Sequence, residues 1–151
     1  YNFILKYTVS VEQNKLNLSL KLRNRGKDAI PIAPGFHPYF PINHTEKSLI
    51  KSEDFDGEKV NWNHESTGIH VDFEVNNIIS LKDKLVKFSV FPDSLVHSLV
   101  FWSQPSNFDD SDFICLEPFY RGTNGIHIDP ILIAPKTTWS STVCITISSI
   151  F

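Results

Sequence analysis

The sequence has no methionine, only two cysteines and no long apolar run. No stretch approaches the roughly 20 apolar residues with which a helix crosses a bilayer, and two cysteines cannot staple a disulfide-dense scaffold. Cys115 and Cys144 both sit inside apolar segments, so both are expected to be reduced, buried and unpaired thiols packed as small hydrophobes. Positive charge is short as well. The formal net charge is −3 over 151 residues, with Lys and Arg scattered, which leaves no electrostatic footprint for nucleic acid or an anionic membrane surface. The N-terminus lacks the basic region and small-residue cleavage site of a signal peptide, so a cytoplasmic setting is expected. The chain opens instead within an apolar, strand-like stretch, as a piece of a longer polypeptide would.

A helical period is also missing: nowhere do apolar residues recur every 3.6 positions over an ordinary helix length. What is present is alternation. Tyr7 to Val11 alternates, and Leu16, Leu18, Leu20 and Leu22 repeat at period two, with a turn near Glu12 to Lys15 and another at Asn24-Arg25-Gly26-Lys27. Four prolines between Ile30 and Pro41 predict an extended, irregular connection or edge strand. Glu46 to Ser66 reads as a long polar loop carrying one short strand. Further strands are expected at Ile69 to Val75, Leu85 to Val90, Ser94 to Trp102, Asp112 to Pro118, Ile131 to Ala134 and Thr142 to Ile150, with a loop from Pro105 to Asp110. About eight or nine short strands with turn signals between them define an all-β sandwich or barrel. No repeat or linker divides residues 1–151, and a unit of this size buries roughly 70% of its unfolded surface without a staple.

Six histidines, His37, His44, His64, His70, His97 and His127, form no H-x-x-x-H pair, and no Cys-x-x-Cys is present. The expectation is therefore no metal. P-loop, nucleophile-elbow and dinucleotide fingerprints are absent too. Two segments nevertheless carry chemistry. In Pro34-Gly35-Phe36-His37-Pro38-Tyr39-Phe40-Pro41, prolines and a glycine stiffen the backbone around one imidazole, as a fixed proton donor requires. Phe113-Ile114-Cys115-Leu116-Glu117-Pro118-Phe119 is an apolar strand ending in a carboxylate, whose desolvation suits a general base. The bland alternatives are a hydrogen-bonded loop histidine, a solvated glutamate and a core aromatic cluster.

These motifs, in this order and followed by Ile131-Leu132-Ile133-Ala134-Pro135, resemble the aldose 1-epimerase (galactose mutarotase) family, in particular its "HPYF" branch. The hairpin carrying Asn24-Arg25-Gly26 is similar to the family's approach to the His motif, while Lys136-Thr137 stands where the family pattern has Gly-Glu. The resemblance runs from Tyr7 onward and corresponds to the C-terminal part of such an enzyme. It implies a galactose mutarotase-like supersandwich, here its C-terminal portion, and an isomerase of carbohydrate metabolism that interconverts the α and β anomers of a hexose or hexose derivative. It further implies Glu117 as base, His37 as acid, Tyr39 as a sugar contact and Asp83 as a hydroxyl-binding carboxylate, with no cofactor. The family's N-terminal Arg and second His are not in this sequence.

Trp102 is a separate suggestion: it lies on the strand before Glu117 and could offer a flat apolar face to a sugar, against the plainer reading of a core Trp. The expected partner is a small-molecule sugar. Nucleic acid and membrane are not expected. A non-catalytic carbohydrate-binding sandwich is the alternative function. A glycoside hydrolase fragment is weaker, because only Glu117 is offered where two opposed carboxylates are needed. His37 and Glu117 are expected to face one cleft, separated by about one sugar ring. A fragment should leave a sheet edge or face uncovered, and so form a homodimer or associate with the missing N-terminal segment.

Overall fold

The computed structural model describes residues 1–63, 67–72, 78–81, 83–91, 98–105 and 111–149, of which 67–72 and 88–91 are described by backbone alone. His64, Phe73, Val75, Ser94, His97, Ile150 and positions 106–110 of the expected loop lie outside them. The strands are β1 (Phe3–Glu12), β2 (Lys15–Asn24), β3 (Ile30–Ile32), β4 (Tyr39–Pro41), β5 (Thr67–Asp72), β6 (Ile78–Leu81), β7 (Lys84–Phe91), β8 (Ser98–Ser103), β9 (Phe113–Phe119), β10 (Ile131–Ile133) and β11 (Thr138–Ser149). The one α-helical turn among the described residues is Gly125–Ile128, and none of their helices is long and apolar enough to cross a membrane.

A five-stranded sheet in the order β1-β2-β11-β7-β6 packs on a four-stranded sheet in the order β4-β9-β8-β5, with β10 and β3 forming a small ribbon. Every pairing is antiparallel. Period-two alternation explains the layers. Leu18, Val86, Val143 and Ile145 of the larger sheet meet Leu99, Phe101, Ile114 and Leu116 of the smaller one in a single apolar cluster, each fully buried side chain contributing about 1.5–3 kcal/mol. The same alternation corrects the expectation for Cys144. With Val143 and Ile145 inward, Cys144 takes the outer face and is only half-buried, whereas Cys115 is buried; both are unpaired.

Glu46 to Ser66 also departs from expectation. Among its described residues, 46–63, there are two isolated bridges, Lys51 with Asp56 and Lys51 with Ser80, in place of a strand, and the 3₁₀ turns His44–Leu49 and Gly57–Lys59. The side chains of Asn43 and Asp56 accept hydrogen bonds from the amides of Thr45 and Glu58 at 3.0 and 3.2 Å, local bonds that compete with a ladder. The turns seat Ile50, Phe55 and Trp62 in the core, and Phe55 stacks on Phe101 with ring centroids 3.8 Å apart.

β1 closes one edge of the larger sheet. Leu5, Tyr7, Val9 and Val11 lie opposite Leu22, Leu20, Leu18 and Leu16 of β2 and so share their apolar side, yet all four are exposed. The smaller sheet does not reach over them, although the Tyr7 ring touches Phe36 at 6.0 Å.

Lys136 sits at the tight corner of the turn before β11. The amide of Thr137 donates to the carbonyl of Ala134 at 3.2 Å, with Pro135 and Lys136 between them. Lys136 has φ 63°, the left-handed value that a type II turn requires after its proline and that favours glycine. Lys136→Gly is therefore expected to stabilise the fold by about 1 kcal/mol, read as a higher urea midpoint at unchanged slope. A lower midpoint would mean that the lost bond from Lys136 Nζ to the Arg25 carbonyl, 2.5 Å long, outweighs the relieved backbone.

Candidate active site

The segment before β4 runs antiparallel along β9. The Phe36 amide donates to the Pro118 carbonyl at 3.1 Å, the Leu116 amide to the Pro38 carbonyl at 3.3 Å and the Tyr120 amide to the Pro34 carbonyl at 3.1 Å. The prolines cost this ribbon no bond here, since their carbonyls accept and no amide is asked of them. Gly35 is needed for a steric reason. It bridges Phe119, and a Cβ on it would lie 2.7 Å from that residue's ring. With Gly35 opposite Phe119 and Tyr39 opposite Cys115, His37 falls opposite Glu117.

The two side chains accordingly touch: His37 Nε2 lies 3.0 Å from Glu117 Oε1, the imidazole half exposed at 50% and the carboxylate buried at 7%. They share one face of one sheet, but the expected gap of a sugar ring is not there. The physical reason is the register, which makes them cross-strand neighbours about 5 Å apart at Cβ.

Phe113, Cys115 and Glu117 alternate onto that same face of β9, and Trp102 of β8 lies directly opposite Cys115. The His37 ring stacks on Tyr39 at 5.1 Å and meets Trp102 edge-on at 5.7 Å. Phe113 completes the wall, 5.0 Å from Tyr39 and 5.7 Å from Trp102. Four of the five residues anticipated from sequence, His37, Glu117, Tyr39 and Trp102, thus come together. Asp83 does not. It is exposed and lines a separate cavity of about 560 Å³ with Glu46, Asp112 and Lys84. Phe40 and Val86 also line that cavity, and both point into the core between the sheets, whereas Tyr39 faces the other way.

Sequence reasoning missed three residues here. Cys115 was expected only as a core thiol, yet it lies under the aromatic ring cluster beside Glu117; alternation along β9 from Glu117 was the available signal. Burial and then the Glu117 carboxylate push its thiol up to about 12, against a hydrogen bond with Tyr39 and the Lys47 charge. Phe113 follows from the same alternation. Lys47 had no signal, since lysine in a polar loop ordinarily reads as solvated. It is fully buried, with Nζ bonded to Ser103 Oγ, the Ser111 carbonyl and His44 Nδ1, and 5.8 Å from the Phe113 ring centroid. Burial lowers its pKa, with the Asp112 and Cys115 charges pulling the other way.

No protein-family model and no curated protein matches the chain. Solved structures do. The Slr1438 protein from Synechocystis sp. PCC 6803 is 20% identical with a TM-score of 0.80, over 98% of this chain and 55% of that one. An Escherichia coli K12 protein described as a candidate aldose 1-epimerase is 17% identical with a TM-score of 0.77, over 99% and 62%. A galactose mutarotase-like protein from Clostridium acetobutylicum is 16% identical with a TM-score of 0.70, over 98% and 56%. The fold is the galactose mutarotase-like β-sandwich. More narrowly, the chain has the fold of proteins described as aldose 1-epimerase or mutarotase-like, and it spans 55 to 62% of the length of these three.

The raised Cys115 thiol has a direct chemical consequence. At pH 8 the folded protein is expected to take up one equivalent of iodoacetamide, on the half-exposed Cys144, and a second on Cys115 only after denaturation, since the thiolate is the reacting form. Peptide mass spectrometry locates the adducts; early labelling of Cys115 would contradict the burial.

Proposed function

We propose that the chain carries the acid–base pair of an aldose 1-epimerase-like isomerase acting on a hexose or hexose derivative, with Glu117 as base and His37 as acid. The observation that carries this reading is the His37–Glu117 contact beneath an aromatic wall. A contact of 3.0 Å suits the chemistry better than a ring-wide gap, because the two oxygens that exchange protons, the anomeric hydroxyl and the ring oxygen, are both bonded to C1. Half-exposed His37 can swing aside and admit them. Glu117 then takes the proton from the C1 hydroxyl as the carbonyl forms, the bond from C1 to the ring oxygen breaks, and His37 protonates that oxygen. Rotation about C1–C2 and reversal of both transfers give the other anomer and return both groups to their starting states. Tyr39 and Trp102 would bracket the sugar. Asp83, on the rim of a separate cavity, is left out of this site. The unpaired thiols support a cytoplasmic setting.

Anomer-exchange NMR tests the pair. Exchange above the buffer rate is expected from the wild-type chain and should fall to the buffer rate in Glu117→Gln and His37→Gln, since acid–base catalysis typically contributes about 10²–10⁴-fold. Sugar affinity should survive in both. Wild-type affinity without any exchange would favour the non-catalytic binding sandwich, for which the ring cluster is equally suited.

We further propose that residues 1–151 are one sandwich unit that forms the C-terminal part of a longer domain, and that the chain alone dimerises through β1 and is a weak catalyst. Support comes from the exposed Leu5, Tyr7, Val9 and Val11, from the outer edge of β1, which no strand pairs among the described residues, and from the longer solved structures. Light scattering should give a dimer that Tyr7→Lys converts to a monomer. A monomeric wild type with full mutarotation of glucose or galactose would overturn this.

A further inference from the structure

We propose that His37, Cys115 and Glu117 together form a binding site for a divalent cation of the zinc class, one that chain spacing conceals and the sheet register creates. One ligand-type atom from each residue lies within 4.8 Å of the other two, and the imidazole and carboxylate are already 3.0 Å apart. Zinc bond lengths of roughly 2.0–2.3 Å set neighbouring ligand atoms of a tetrahedral site about 3.3–3.8 Å apart. The observed triangle closes on such an ion through side-chain rotation, chiefly of His37, the exposed member.

The donor set selects the ion. A nitrogen, a sulfur and one carboxylate oxygen suit zinc or cadmium, whereas magnesium and calcium take oxygen sets. Cys115 and Glu117 stand on alternate positions of one strand and His37 on the ribbon paired with it, so the ligands are held by paired backbone, as a defined site needs. Outer contacts are in place too: Tyr39 stands directly opposite Cys115 in the strand register and stacks on His37. Three protein ligands leave a fourth position, on the half-exposed His37 side, for water or a sugar hydroxyl. On binding, the S–H bond of Cys115 breaks, its proton passes to solvent and the sulfur pair forms the metal bond.

One consequence rests on the proposed acid–base reading. An ion here takes up the lone pairs that Glu117 and His37 would use for proton transfer, so it would inhibit anomer exchange. The binding itself rests on geometry alone.

Titration of the chain with cadmium, followed by thiolate-to-metal absorbance in the near ultraviolet, tests it. One saturable equivalent is expected in the wild type and in Cys144→Ser, and no band in Cys115→Ser. Affinity should fall at least tenfold in Glu117→Gln and in His37→Gln, the lower end of what even outer-sphere changes cost. No band in the wild type, a band that vanishes in Cys144→Ser, or undiminished affinity in Glu117→Gln would overturn the site. Should Cys115→Ser fail to fold, by circular dichroism, Cys144→Ser and Glu117→Gln still decide. Cadmium binding by a chain without anomer exchange would uphold the metal site while removing the enzymatic reading, and exchange without cadmium binding would do the reverse.

Discussion

The antiparallel register between the proline-rich ribbon and β9 governs the candidate site. Gly35 opposite Phe119 and Tyr39 opposite Cys115 leave His37 one place to go, across from Glu117. Because side chains alternate with a period of two, a slip of one residue would turn His37 to the core and present Phe36 or Pro38 to the carboxylate. Several features keep the slip from happening. Phe36 and Phe40, on the opposite side of the ribbon from His37, are anchored in the apolar cluster, and the prolines offer no amide to a wrong partner. Gly35 passes over the Phe119 ring where any Cβ would collide.

The rest of the site rests on that ribbon in layers. Tyr39 and Trp102 hold the His37 ring from two directions, and Phe113 holds both of them. Behind Phe113 stands Lys47, a fully buried amine held by three hydrogen-bond partners drawn from the 3₁₀ turn, β8 and the approach to β9. Removing one partner of such a buried group costs more than the bond itself is worth, since the remaining group is left unsolvated. The loop that carries Lys47 is thereby tied to the strands behind the aromatic wall, though it contributes nothing to the wall's surface.

Alternation made the sheets legible. Leu16 to Leu22 and the β-branched run of β11 could be read residue by residue, and both motif segments announced themselves through prolines beside a titratable group. Legibility failed where tertiary position overrides local pattern. Cys144 looks apolar in its run, but its neighbours Val143 and Ile145 take the inward face. Ile50, Phe55 and Trp62 have no period to betray their burial, because capped 3₁₀ turns and not a strand deliver them. Asp83 shows the limit of chain order: nothing in the sequence says on which side of a sheet a turn residue emerges. The His37–Glu117 contact was missed for a related reason, since a register is a property of two segments and neither segment contains it.

The larger sheet has a further consequence, in the order of assembly. Its central strand β11 pairs with β2 on one side and β7 on the other, and Ser19 meets Thr142 across 123 positions of sequence with their hydroxyls 2.8 Å apart. Until β11 is available, the β1–β2 hairpin and the β6–β7 hairpin have no common neighbour, and the apolar face they should share stays open. Such long-range closure is entropically slow. During synthesis the chain therefore holds most of its strands before the one that joins them, and this interval is when unpaired edges are most available to other chains.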